Sequence, residues 1–448
     1  MSKSYEIDMC HGPLAGKILR FSLPLMLSSM LQLIFNAADV IVVGRFSGSE
    51  ALAAVGSTGP LINLMINLFI GLSVGANVVV ARALGANHPT DVSKAVHTSL
   101  LLSAAGGILL AVIGIPLAKP ALELMGSPDN VIDLSTLYLR IYFIGIPATL
   151  IYNFGSSILR AAGDTKRPLY YLFTAGIINV ILNLFFVIFC KMSVDGVATA
   201  TVISQVVSAV LIVKCLLKDE TALRLIPKQL KIHKQKLLQI VRIGLPAGIQ
   251  GMVFSLSNIV LQSAINSFGS DTMAGSAAAA NVEGFVYVAM NSLYQASLTF
   301  TGQNIGAGQY GRIKRIYVTC ALFSASIGII LSSLVLLFRY QLLGIYSSSP
   351  QVIAEGITRF KFVCVPYFLC GLMDVTVGSL RGIGYSILPM IVSLIGACGL
   401  RLLWVATIFR MHPSTNVLFM SYPITWFVTF AAHLICFSLA LRKLPYNN

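Results

Sequence analysis

Asp39 is the only ionisable residue between Phe21 and Val43, a stretch dominated by Leu, Ile, Met and Val. A carboxylate at bilayer depth is costly, so it is expected to face a polar interior and to handle an ion. Gln32, Asn36 and Asp39 follow at i, i+4 and i+7, which places them on one stripe of a helix. Asn36 then stands one turn from Asp39, within reach of a hydrogen bond. Asn179 and Asn183, at i and i+4, and Thr201 offer a partner set. Together with Asp39 they supply one carboxylate and three neutral oxygens, a set that can hold a monovalent cation because hard cations take oxygen ligands. Alternatively, Asp39 alone carries a proton, or the amides and the hydroxyl serve only to join helices by hydrogen bonds.

The second half of the chain carries a different polar set. Asn281, Glu283, Tyr287, Met290, Asn291 and Tyr294 run mostly at three- and four-residue steps, Asp374 comes later and Arg401 later still. A buried charge without a partner is expensive, so Glu283 or Asp374 is expected to pair with Arg401. Left unpaired, either carboxylate can hold a cationic ligand, with Tyr287, Met290 and Tyr294 as adaptable walls. Gln32 is a further candidate substrate contact. Pro24 removes a backbone hydrogen bond within the first helix and invites a kink, which makes it a candidate hinge. Its counterpart Pro246 leaves a purely architectural role open.

These residues need helices to hold them, and the composition says which kind. Hydrophobic residues make up 56% of the 448-residue chain and charged residues 10%, against about a quarter charged in an average soluble domain; mean hydropathy is +0.83. The chain is expected to be an all-α polytopic membrane protein. Apolar runs of about 20 residues are needed per crossing. Twelve are expected, over 18–43, 52–81, 95–118, 131–153, 168–190, 196–217, 238–266, 273–301, 316–338, 354–379, 387–409 and 415–441. Residues 1–20 contain Glu6, Asp8, His11 and Lys17 and lack the apolar core of a cleavable signal, so the first helix is expected to insert uncleaved.

Charge gives the orientation. The net charge of +15 is concentrated in alternate connections, around Arg82 and Lys94, Arg160 to Arg167, Lys218 to Arg242, Arg312 to Arg315, and Arg381. By the positive-inside rule both termini are expected in the cytoplasm, and the same pattern argues against nucleic acid. The basic stretch 218–236 reads as a linker between an N-lobe (1–217, helices 1–6) and a C-lobe (237–448, helices 7–12). The halves repeat: Arg20-Phe-Ser-Leu-Pro24 matches Arg242-Ile-Gly-Leu-Pro246, and Asn36 falls opposite Asn258. Arg140 to Pro147 matches Arg359 to Pro366, and Leu159-Arg-Ala-Ala-Gly163 matches Leu380-Arg-Gly-Ile-Gly384. Six helices per half give both lobes the same orientation and a pseudo-twofold axis along the membrane normal, a plan common in transporters.

Enzyme chemistry finds no support. The eight cysteines are scattered without metal-ligand spacing. The Gly302-Gln-Asn-Ile-Gly-Ala-Gly308 segment comes after a helix rather than a strand and is no nucleotide loop. No cofactor is expected.

The segments Asp39-Val-Ile-Val-Val-Gly44-Arg45, Leu52-Ala-Ala-Val-Gly56, Gly75 through Ala86, Leu159 to Asp164, Val197 to Ser204, Gly302 to Gly308 and Leu380-Arg-Gly382, in this order on a duplicated twelve-helix plan, resemble the multidrug and toxic compound extrusion family. The resemblance implies a V-shaped pair of six-helix lobes and export of cationic or amphipathic compounds from the cell, driven across the plasma membrane by inward sodium or proton flow. It implies that Asp39 handles the coupling ion, with Asn179 and Thr201 as polar members of that site. Asn183 departs from the family, in which an aspartate often stands there. Glu283 resembles an eighth-helix glutamate of one bacterial branch, for which a substrate role is implied. The expected function is therefore cation-coupled antiport by alternating access, in a monomer surrounded by lipid. The alternative is a flippase for lipid-linked precursors, which calls for a markedly cationic cavity.

Overall fold

The computed structural model describes residues 5–445, and among them the regular structure is entirely helical. The helices are α1 (Leu14–Phe46), α2 (Ser49–Gly85), α3 (Pro89–Leu124), α4 (Asp129–Ala161), α5 (Lys166–Leu184), α6 (Val194–Leu217), α7 (Lys234–Asn266), α8 (Ser270–Gly306), α9 (Tyr310–Leu337), α10 (Arg339–Gly344), α11 (Pro350–Val363), α12 (Tyr367–Ile383), α13 (Ile387–Ser393), α14 (Leu400–Ala406), α15 (Ile408–Met411) and α16 (Thr415–Arg442). The sequence repeat is a structural one: α1 and α7 each run for 33 residues, and α2 and α8 each for 37.

Among the described residues, ten spans are long and apolar enough to cross a membrane. The run expected as a single tenth helix is instead the pair α11–α12, bent by 48°. Pro366 lies at the break, where it lacks an N–H and disfavours helical backbone in the residue before it. Its repeat mate Pro147 sits inside an unbroken α4. The remaining expected span is α8, which is long enough but diluted by Asn, Gln, Ser and Thr. The eleventh expected span is composite, with a π-helical turn at Leu394–Gly399 between α13 and α14. A second π turn, Phe185–Phe189, continues α5. Such turns insert a residue into the helical ladder and rotate the side chains of the next turn to a new face.

The chain divides into two compact units. The first takes Leu27–Gly248 together with the segment up to Asp8; the second takes Met9–Met26 and the chain from Ile249 onward. Each long α1-type helix therefore contributes to both units: α1 changes unit just after Pro24, and α7 just after Pro246.

In the first unit α4 packs against α2, α3 and α6. The N-terminal part of α7 meets α2 through glycines on both sides. A Cβ on Gly71 would stand 2.1 Å from the Gly248 nitrogen, and one on Gly75 2.3 Å from the Ile240 carbonyl oxygen. Helices in lipid gain little from hydrophobic exclusion, so close backbone approach through small residues supplies the contact. The segment expected as a plain linker is tied down: Leu223 is fully buried, the Ile226 N–H donates to His97 Nε2 at 3.0 Å, and Lys236 pairs with Asp91 at 3.0 Å.

In the second unit α8 packs against α9, α11 and α12, and α16 packs against α11 and α12. Its core gathers Met290, Phe360, Tyr367, Met373 and Trp426. Tyr367 and Trp426 stack with ring centroids 5.3 Å apart.

Candidate functional site

In the first unit, α1, α5 and α6 bring together a chain of polar side chains. Asn183 donates from Nδ2 to Asp39 Oδ1, and the same group lies 3.3 Å from Asn179 Oδ1. Asn179 Nδ2 in turn lies 3.4 Å from Thr201 Oγ1, whose hydroxyl donates to the Val197 carbonyl at 2.9 Å. The i, i+4 spacing of Asn179 and Asn183 puts both amides on one face of α5, and both are buried. Asn183 Oδ1 is buried and has no hydrogen-bond partner among the described residues. An orphaned carbonyl oxygen beside a carboxylate is an unfilled acceptor, the kind of group that a cation or a proton donor completes.

The other two members of the α1 stripe stay apart. Asn36 was expected to bond Asp39 along the helix; among the described residues no hydrogen bond joins them, and both Asn36 and Gln32 are exposed. The Asn183 amide, reaching across from α5, takes the carboxylate instead. The first-half pattern also passed over two tyrosines. Tyr138 and Tyr142 on α4 lie within electrostatic reach of Asp39 and stack on each other with centroids 6.2 Å apart. Their i, i+4 spacing in an apolar helix was the available signal.

In the second unit the expected pairing of Glu283 is corrected. Glu283 binds Arg359 on α11 rather than Arg401, through Nε at 3.1 and 3.2 Å and Nη2 at 2.8 Å. Arg359 Nη1 also donates to Ser276 at 2.9 Å. The pair is buried, with Glu283 only 3% exposed, so this carboxylate is already neutralised. Met290 is 1% exposed and belongs to the core. Its sulfur occupies the space beside Gly328 and Gly371, where a Cβ would meet it at 2.7 and 2.8 Å. Tyr294 is buried as well, and its hydroxyl accepts from Arg381 Nη1 at 2.7 Å. Arg381 Nη2 donates to Gln250 at 2.8 Å. A wall role expected for Met290 and Tyr294 therefore gives way to packing.

Asp374 and Tyr287 are placed differently. Tyr287 is 38% exposed, and Asp374 is partly exposed and lies beside it. Asp374 forms no ion pair with Arg401 or any other described residue. Pro24 lies inside an α1 that stays helical from Leu14 to Phe46. Among the described residues no cluster of His, Cys, Asp and Glu suits a multidentate metal site.

Comparison with known proteins identifies the family and the fold. The MatE family model matches residues 24–185 and 246–406, one match per repeat. The probable multidrug resistance protein YoeA of Bacillus subtilis is 30% identical over 388 residues, covering 85% of this chain and 84% of that protein. The multidrug export protein MepA of Staphylococcus aureus is 21% identical over 376 residues, covering 83% and 82%. A solved MATE transporter of the MOP superfamily, in an outward-facing conformation, superposes with a TM-score of 0.92 at 23% identity, covering 99% of each chain. Two matched halves, a shared fold and a relative 30% identical over most of both chains leave one assignment: the chain belongs to the MatE family of multi-pass membrane transporters and is not an enzyme.

Proposed function

We propose that this protein is an antiporter that exports drug-like organic cations and amphipathic compounds in exchange for an inward-moving sodium ion or proton. Asp39 is the coupling residue, and both termini lie in the cytoplasm. The observation that carries the reading is the Asp39–Asn183–Asn179–Thr201 chain with its orphaned Asn183 oxygen. An amide offers a donor on one side and an acceptor on the other. In the ionised state the Asn183 Nδ2 group donates to the carboxylate. When Asp39 is protonated, a turned amide presents Oδ1 to the new O–H. When sodium binds, the same turn gives the ion a carbonyl oxygen beside the carboxylate, with Asn179 and Thr201 within the same set. Either ion removes a partly buried negative charge, so the loaded and empty states of the first unit differ in free energy. Only such a difference lets the ion bias an alternating-access equilibrium.

Substrate contacts are proposed at Asp374 and Tyr287, where a carboxylate and an aromatic face are accessible together. The names of YoeA and MepA support a multidrug substrate class. A flippase for pyrophosphate-linked lipids is less supported, because the accessible candidate contacts Asp374 and Tyr287 are acidic or neutral.

The test is dye efflux from proteoliposomes with sodium and proton gradients imposed separately. One gradient drives uphill efflux in the wild type, and Asp39→Asn abolishes it while the protein remains monodisperse. Gradient-driven efflux at the wild-type rate in Asp39→Asn overturns the proposal.

A further inference from the structure

The segment between α6 and α7 buries its first leucines and leaves the apolar residues after them outside. Leu223 is 0% and Leu225 7% exposed, whereas Leu230 is 40% and Ile232 45% exposed. The backbone accounts for the difference. The Ile226 N–H donates to His97 Nε2 at 3.0 Å, and the His233 N–H donates to Thr98 Oγ1 at 3.1 Å. Two adjacent residues of α3 thus hold the two ends of the excursion 227–232. It opens with a single 3-10 turn, Pro227–Gln229, and every one of its residues is exposed. Pinned at both ends, the loop keeps Leu230 and Ile232 away from the packing that takes Leu223 and Leu225.

The same loop is basic. No acidic residue occurs between Glu220 and Asp271. Lys236 is paired with Asp91 at 3.0 Å. Lys228, Lys231 and Lys234 are exposed and form no ion pair among the described residues. Lys231 stands between Leu230 and Ile232 in the chain, and the other two lysines flank them. The neighbouring span places the loop in depth. The span begins at Lys234, and its exposed residues Leu238 and Leu245 lie two turns apart on one face. Lipid therefore meets α7 from its first turns, and the loop emerges where hydrocarbon gives way to headgroups. At that level apolar side chains gain by entering the interface. Lysine stems lie along apolar surface while their ammonium groups stay among the headgroups, and an anionic leaflet attracts each of them.

We propose that loop 227–232 is a membrane-surface anchor that binds anionic phospholipid headgroups, with Leu230 and Ile232 in the interface and Lys228, Lys231 and Lys234 on the phosphates. Because both ends of the loop are fixed on α3, the anchor fastens the body of the first unit to the leaflet and not the linker alone.

The experiment places a reporter at the exposed position, Leu230→Trp, in the full chain in nanodiscs, with the wild-type signal of Trp404 and Trp426 subtracted. Lipids brominated in the acyl chain quench it from the membrane side, and acrylamide quenches it from water. Quenching by brominated lipid is expected to be about twofold stronger in phosphatidylglycerol than in phosphatidylcholine discs, with acrylamide quenching weaker. Combining the reporter with Lys228→Gln, Lys231→Gln and Lys234→Gln is expected to remove that difference. Salt near 1 M, where the Debye length is about 3 Å, is expected to shrink it without any further variant. Quenching by acrylamide alone in phosphatidylglycerol places the loop in water and overturns the proposal. Protection from both quenchers overturns it in favour of a protein cover such as a second copy of this chain. Equal quenching by brominated lipid in the two bilayers, unmoved by the lysine exchange and by salt, overturns recognition of anionic headgroups.

Discussion

Asp39 and Leu261 occupy matching places in the repeat, each three residues after a matched asparagine, Asn36 or Asn258, in helices of identical length. Their surroundings have diverged completely. Asp39 meets the Asn183 amide and lies near two tyrosines. Leu261 is 1% exposed and packs with Ile265, Leu418 and Phe419. Arg140 and Arg359 show the converse. Arg140 is exposed and reaches the Ile115 carbonyl at 3.3 Å, whereas Arg359 is buried on Glu283. Duplication preserved the lengths of the first two helices of each half, a proline and an asparagine in the first of them. It did not preserve charge, which is free to change wherever the neighbouring helices supply a new partner. The buried arginines, Arg359, Arg381 and Arg401, all lie in the second unit, and the first unit buries none among the described residues.

The sharpest way to break this contrast is Asp39→Asn, which removes the carboxylate from the Asn183–Asn179–Thr201 chain. Gradient-driven dye efflux is expected to fall to the leak of empty liposomes, with the unfolding temperature held or raised. Next is Glu283→Leu, which leaves Arg359 buried without its partner. A loss of about 3–5 kcal/mol is expected, read as a lower unfolding temperature in detergent. Combining it with Arg359→Met is expected to recover most of that loss. Leu261→Asp tests whether an acid alone makes a site. It is expected to cost about 3 kcal/mol and to leave the number of coupling ions per transported dye unchanged, because no amide meets it. Asn183→Leu removes the partner and keeps the acid. The half-saturating concentration of the driving ion is expected to rise about tenfold, measured by efflux rate against ion concentration. The smallest effect belongs to Arg140→Met, expected to change stability by less than about 0.5 kcal/mol. A loss there equal to that of Arg359→Met would erase the difference between the repeat mates.

The helices, the duplication and the place of Asp39 at bilayer depth were legible because each is a local or periodic property. Apolar length, matched Arg-to-Pro segments and a lone carboxylate need no knowledge of neighbours. The partners were less legible. Asn36 has the right helical spacing to meet Asp39, yet Asn183 takes that place from a helix more than a hundred residues away. Glu283 was paired with Arg401 from the sequence, and nothing in the spacing along the chain pointed to Arg359, which takes it. Met290 and Tyr294 share a polar helix face with Tyr287, but α9 and α12 pack over them and leave Tyr287 accessible.

By itself the sequence determined that the chain lies in a membrane, that it is two copies of one helical plan, and that a lone carboxylate stands within the first apolar helix. Hydropathy and periodicity act through the nearest few residues and the solvent, so they survive without a fold. Only the tertiary structure decided which charges are neutralised and which remain available: Glu283 closed on Arg359, Arg401 left beside a tyrosine, Asp39 set against an amide with an empty oxygen. A charge's cost and its function depend on what stands within a few ångströms, and helices distant in sequence provide it.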